Sequence, residues 1–164
     1  MKRNILKLGN EKLYELSDEI KKEELSFIKG VVEDLHDTLI DFKKTYGIGR
    51  AIAAPQIGIK KRLIYMYIFK PVIFINPVLE FKDDKLMEVL DDCMSFPNLL
   101  VKVMRYERCT VKYKDMEWED CEMDLEGDLS ELLQHEYDHL DGILATMRAI
   151  DNRSFFLKKI NINS

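Results

Sequence analysis

His135-Glu136-Tyr137-Asp138-His139 is the stretch of this chain with the most chemistry to offer. It reads H-E-x-x-H and holds two of the three histidines. On a helix, positions four apart share a face, with Cβ atoms about 5–6 Å apart. Two imidazoles at that spacing can grip one metal ion. The glutamate between them can then handle a proton on a water that the metal activates. The pattern marks a candidate metallohydrolase, although a charged surface helix also produces such a run by chance.

The other ligands narrow the type of enzyme. A zincin protease takes a third ligand downstream, a Glu or a His. No Glu or His follows Gly142, and the remaining carboxylates are Asp141 and Asp151. The third ligand is therefore sought upstream, where a soft thiolate is the best candidate. The cysteines are Cys93, Cys109 and Cys121. An odd, sparse set does not form a disulfide framework, and a small buried hydrophobe is the ordinary role for any one of them.

The elements that must position these residues follow from periodicity. Over residues 24–44, Leu25, Ile28, Val32, Leu35, Leu39 and Phe42 step by three or four, which predicts a helix ending near Gly47 and Gly49. His36 lies on its flank among acidic residues and is expected to be solvated. From about 62 to 125 the texture is β-branched and aromatic. Strands are expected at 62–67, 72–75, 87–90, 109–113 and 118–125, with Asn76-Pro77 turning the chain. A second helix opens at Gly127 or Asp128, carries both histidines and stops at Gly142. Helix, strands, then helix is an α+β pattern.

With 164 residues, 46% hydrophobic and 34% charged, the chain is expected to form one domain over residues 1–164. Its net charge of −5 excludes an electrostatic nucleic-acid binder. No apolar run reaches a membrane span, and no apolar stretch follows the basic start, so a cytoplasmic location is expected.

Three segments then converge on one family. Gly49-Arg-Ala-Ile-Ala-Ala-Pro-Gln56-Ile-Gly58 resembles the G-x-G-x-A-A-P-Q-x-G segment of peptide deformylases. Asp91-Asp-Cys93-Met-Ser95-Phe-Pro97 resembles their E-G-C-L-S-x-P segment. Gln134-His-Glu-Tyr-Asp-His-Leu-Asp-Gly142 matches their Q-H-E-x-D-H-L-x-G segment at each fixed position. The resemblance implies an α+β fold with three short, mostly antiparallel sheets around the metal-bearing helix. It implies that Cys93, His135 and His139 bind one divalent metal, most often Fe²⁺, with Zn²⁺, Ni²⁺ or Co²⁺ as alternatives. It implies removal of the formyl group from the N-terminal methionine of nascent chains, with ribosome association as a further implied property.

Physical logic assigns the roles. Three protein ligands leave a position open, as a catalytic site does. Glu136 accepts a proton from the attacking water and returns it to the leaving amine. The Gln56 amide and the Met94 backbone N–H are the expected oxyanion donors. Asp138 is expected to project away from the metal and fix local structure.

The departures from the family pattern cluster around the substrate. Gly49, Arg50, Ala51 and Asp92 are the expected substrate-binding residues, and Ala51 and Asp92 stand where the family has Gly. Asp91 replaces Glu, and Asp128 replaces an apolar residue. Arg50, Asp92 and Asp128 either pair with one another or read a substrate other than formyl-Met. The competing reading is a weak or inactive homologue that binds metal or peptide.

Overall fold

The computed structural model describes residues 1–158, so the expected domain runs on past them to residue 164. The first predicted period forms α1, Leu25–Tyr46. Ile28, Val31, Leu35, Thr38, Leu39 and Phe42 make its buried face. Gly47 ends it in the left-handed region at φ 73°, and its N–H donates to the Lys43 carbonyl at 2.8 Å. His36 corrects its expectation. It is half-buried, with Nδ1 2.6 Å from the Tyr65 hydroxyl, because its flank of α1 faces the sheet rather than water.

Eight strands follow: β1 Ala51–Ala53, β2 Leu63–Tyr67, β3 Pro71–Glu80, β4 Leu86–Asp91, β5 Leu99–Tyr106, β6 Arg108–Lys114, β7 Asp120–Glu126 and β8 Phe155–Leu157. All pair antiparallel. The α+β class holds. Among the described residues, however, there are two sheets rather than three, ordered β1-β2-β3-β6-β7 and β4-β5-β8.

Asn76-Pro77 explains the merger. These residues do not turn the chain; they sit in a bulge inside β3, between Ile75 and Val78. β3 pairs with β2 up to Ile75 and with β6 from Ile75 onward across the bulge, so one bent strand serves both halves of a sheet. Asn76 adopts φ 49°, a region asparagine tolerates. Its side-chain amide bonds both the N–H and the C=O of Ile20 at 2.8 Å. The last expected strand starts at Asp120, because Trp118 sits at φ 64° in the preceding turn.

The second helix, α2, spans Asp128–Leu140 and packs against both sheets. Most of its residues are buried, as befits a helix covered on several sides. Gln134 fastens it to the end of β5: its Oε1 accepts from Tyr106 N–H at 2.9 Å and its Nε2 donates to Tyr106 C=O at 2.8 Å. Past its end, Gly142 lies at φ 71° against the Tyr14 carbonyl. A Cβ there would collide with that oxygen and come within 3.0 Å of the Glu15 oxygen.

A buried ion network joins α2 to the smaller sheet. Arg105 takes an inward position on β5 and donates to Asp91 at 2.6 Å and to Asp138 at 2.7 Å. Asp138 also accepts from Arg148 Nε at 2.5 Å and Nη2 at 2.8 Å. Asp138 thus fixes structure, as expected. Burial alone would raise the Asp91 pKa, but His135 and Arg105 hold it down at about 2, from an ordinary 3.8.

A carboxylate depressed in this way stabilises the fold above pH 3.8, and that contribution disappears as pH falls through about 2. Arg105→Leu leaves Asp91 and Asp138 short of a buried partner and is expected to cost about 3–5 kcal/mol at neutral pH. Its acid-unfolding midpoint should also move to higher pH. Urea melts at pH 7 and an acid titration followed by circular dichroism check both, and an unchanged urea midpoint would refute the role given to this network.

Candidate metal centre

The two histidines project from α2 one turn apart, both buried. Cys93 reaches them from the turn after β4, where Phe96 N–H closes on the Cys93 carbonyl at 3.0 Å. The N-terminal segment braces that turn. Leu8 N–H donates to the Ser95 carbonyl at 3.0 Å, and Lys7 Nζ to the Met94 carbonyl at 3.3 Å.

Cys93 Sγ lies 3.3 Å from His139 Nε2, and that nitrogen lies 3.2 Å from His135 Nε2. The ligand atoms of all three residues fall within 4.8 Å of one another. Donors around a tetrahedral ion at bond lengths of about 2.0–2.3 Å sit about 3.3–3.7 Å apart, so the observed spacing fits a metal. The donor set also fits, one soft thiolate with two imidazoles.

The electrostatics agree with the geometry. Burial works against a charged His135, yet Asp91 and Cys93 hold its pKa well above the ordinary value. Burial and the neighbouring His135 push the pKa of His139 well below. A pocket negative enough to keep a proton on a buried imidazole is also one that attracts a dication. Asp91 Oδ1 stands 2.9 Å from His135 Nδ1, at ion-pair distance though not aligned as a hydrogen bond. It occupies the place of the partner that orients a metal-bound histidine.

Glu136 is buried beside the ligands, and its Oε2 has no hydrogen-bond partner among the described residues. Burial pushes its pKa up to about 7, with His135 opposing and Asp91 adding to the rise. That value suits a group that must both take and give a proton near neutral pH.

Gln56 sits in the 3₁₀ turn Ala54–Ile57. Its Oε1 accepts from Ala53 N–H at 3.0 Å, which turns the NH₂ toward Cys93 Sγ at 3.6 Å and Ser95 Oγ at 3.2 Å. Met94 is buried next to the thiolate ligand.

A cavity of about 350 Å³ opens beside this centre. Gly49, Arg50, Ala51 and Asp92 all line it, together with Cys93, Met94, His135 and Glu136. The charged departures do not pair with one another. Arg50 bonds Glu131 at 3.0 Å, and Asp92 bonds Lys158 at 3.0 Å. Asp128 is exposed at the first turn of α2 and does not line the cavity. It complements the positive end of the helix dipole there. Cys109 is buried and Cys121 half-buried, and neither belongs to the ligand group.

Three participants were not read from the sequence: Glu131, Lys158, and the contact of Asp91 with His135. Glu131 had a signal, since it precedes His135 by four residues and so shares its helix face. Lys158 had none, lying 66 residues from its partner.

The comparisons with known proteins agree with this geometry. The family model described as polypeptide deformylase matches residues 2–154. The peptide deformylase of Pseudothermotoga lettingae is 32% identical over 159 residues, 97% of this chain and 90% of the relative. The crystal structure of the Thermotoga maritima enzyme superposes with a TM-score of 0.84 at 30% identity, covering 92% of this chain and 99% of that one. The Acinetobacter baumannii class I type b enzyme, solved with Met-Ala-Ser bound, gives a TM-score of 0.82 at 26% identity, covering 90% and 98%. With Cys93, His135, Glu136 and His139 gathered in one buried site, this chain belongs to the polypeptide deformylase family of metal-dependent hydrolases that remove formyl groups.

Proposed function

We propose that this protein hydrolyses the formamide at the N-terminus of nascent polypeptides in the cytoplasm, as one domain acting close to the ribosome. The observation that carries the reading is the convergence of Cys93, His135 and His139 beside the unpartnered carboxylate oxygen of Glu136. Cys93, His135 and His139 hold one divalent ion, with Fe²⁺ the first choice. When bound, the ion acts as a Lewis acid that makes water a nucleophile near neutral pH.

The chain's own residues do the rest. β1 lies at the edge of the larger sheet, beside the cavity, and an extended peptide can add to such an edge. Glu136 takes the proton released as water attacks the formyl carbon, then delivers it to the departing amine. Gln56 Nε2 and the Met94 N–H stabilise the oxyanion that develops on the formyl oxygen. Ala53 N–H fixes the oxygen end of the Gln56 amide, so its NH₂ faces the centre and reaches the oxyanion by giving up one of its contacts with Ser95 and Cys93. Asp91 keeps the His135 ring in place.

Anaerobically purified protein should release formate from N-formyl peptides. Glu136→Gln should keep its bound metal and lose about 10²–10⁴ in kcat. Metal analysis beside the formate assay separates these effects, and near-normal turnover by this variant would remove Glu136 from the chemistry. Gln56→Leu should cost about 10²–10³ in kcat, read in the same assay. Chelator-stripped protein should lose activity and melt at a lower temperature, and Fe²⁺ returned without oxygen should restore both. A melting temperature indifferent to the metal would contradict the three-ligand site.

A further inference from the structure

The ammonium of Lys7 is spent on the backbone rather than on a carboxylate. Among the described residues its side chain makes one hydrogen bond, to the Met94 carbonyl at 3.3 Å, and no ion pair. Most of the side chain is exposed, yet burial around its charged end lowers its pKa, with Cys93 opposing the fall. A cation that gives up hydration in this way must be repaid by what it touches.

The carbonyl it touches leads to the metal ligand. Met94 C=O shares a peptide unit with the Ser95 N–H, and that N–H donates to Cys93 Sγ at 3.4 Å. Resonance couples the two ends of a peptide unit. A positive charge on the oxygen side draws electron density toward it and makes the N–H on the other side a stronger donor. The Lys7 ammonium, the Met94–Ser95 peptide and the Cys93 sulfur thus form one relay.

The relay is held from both sides. Leu6 N–H donates to the Gln56 carbonyl at 2.8 Å and Leu8 N–H to the Ser95 carbonyl at 3.0 Å. The backbone that carries Lys7 is therefore tied to the Gln56 turn and to the Cys93 turn at once. Gln56 Nε2 also stands near the sulfur, at 3.6 Å, but it is the group that turns to the oxyanion in the reaction proposed above. The Ser95 N–H has no such second duty. Lys7 itself does not line the cavity.

We infer that Lys7 is a positioning residue that tunes the metal centre through the Met94–Ser95 peptide. Its ammonium strengthens the N–H···S bond, makes Cys93 a weaker electron donor, and so leaves the ion that Cys93 holds a stronger Lewis acid. Hydrogen bonding around a ligand sulfur is a recognised control on a metal site. The effect on turnover rests on the deformylase reading; the effect on the sulfur does not.

The probe is protein loaded with Co²⁺, whose bond to a thiolate gives a sulfur-to-metal charge-transfer band. In Lys7→Met the sulfur electrons lie higher in energy, so the band should move to longer wavelength. With Fe²⁺ bound, kcat for formate release from formyl-Met-Ala should fall by about tenfold, the scale of losing a group one step behind a metal ligand. KM should stay near the wild-type value, because Lys7 is not part of the cavity wall. Lys7→Arg keeps the charge and the N–H donors and should keep both the wild-type band and the wild-type kcat. Only folded, loaded protein shows the band, so a misfolded variant cannot imitate a shift. An unmoved band in Lys7→Met overturns the inference, and so does an equal shift in Lys7→Arg. A shifted band in protein that never releases formate would keep the relay and remove the deformylase reading. Formate release with an unmoved band does the reverse.

Discussion

A guanidinium buried between two carboxylates holds this site together. Arg105 joins Asp91 at the end of β4 to Asp138 on α2, and Asp91 in turn stands against His135. The small sheet that delivers Cys93 and the helix that delivers both histidines are thereby held in one geometry. Ion pairs this deep seldom stabilise a fold more than apolar residues of the same shape would. What they supply here is direction: Asp91 has Arg105 on one side and the metal-site histidine His135 on the other. Arg148 clamps the far side of Asp138 and completes the chain of charges.

The reactive groups divide the work by environment. Glu136 and Asp91 are both buried carboxylates within one site, yet they sit at opposite ends of the acidity scale. Asp91 has a guanidinium and an imidazole to answer its charge. Glu136 has one unpartnered oxygen, so burial dominates. One fold thus keeps one acid permanently ionised as a support and another free to exchange its proton. Gln56 makes a similar division within one side chain: its oxygen is committed to the backbone and its nitrogen faces the centre.

Much of this was legible in the chain. The metal helix announces itself through two histidines four apart, and Cys93 and Gln56 lie in ordered motifs around it. Both helices follow from apolar period, because their partners repeat locally. The illegible parts depend on distant partners. Arg50 and Glu131 are 81 residues apart, so their pairing is a fact of the folded chain alone. Arg105 shares its strand with Lys102, and nothing local tells that the Arg105 charge is the one that points inward. Asn76-Pro77 carries a strong turn signal, but pairing on both sides of it held the strand together and made a bulge. The strand thereby joins β2 and β6 within one five-stranded sheet.

Gly142 shows how little slack this arrangement contains. The backbone just past the metal helix is pressed against the Tyr14 carbonyl, with no space for even a methyl group between them. The contact works as a mechanical stop one turn beyond the second histidine. A helix seated against a stop cannot trade position for fit when a substrate arrives. Selectivity in this protein must therefore be written in the side chains around the cavity, and a new preference can evolve there without moving the metal.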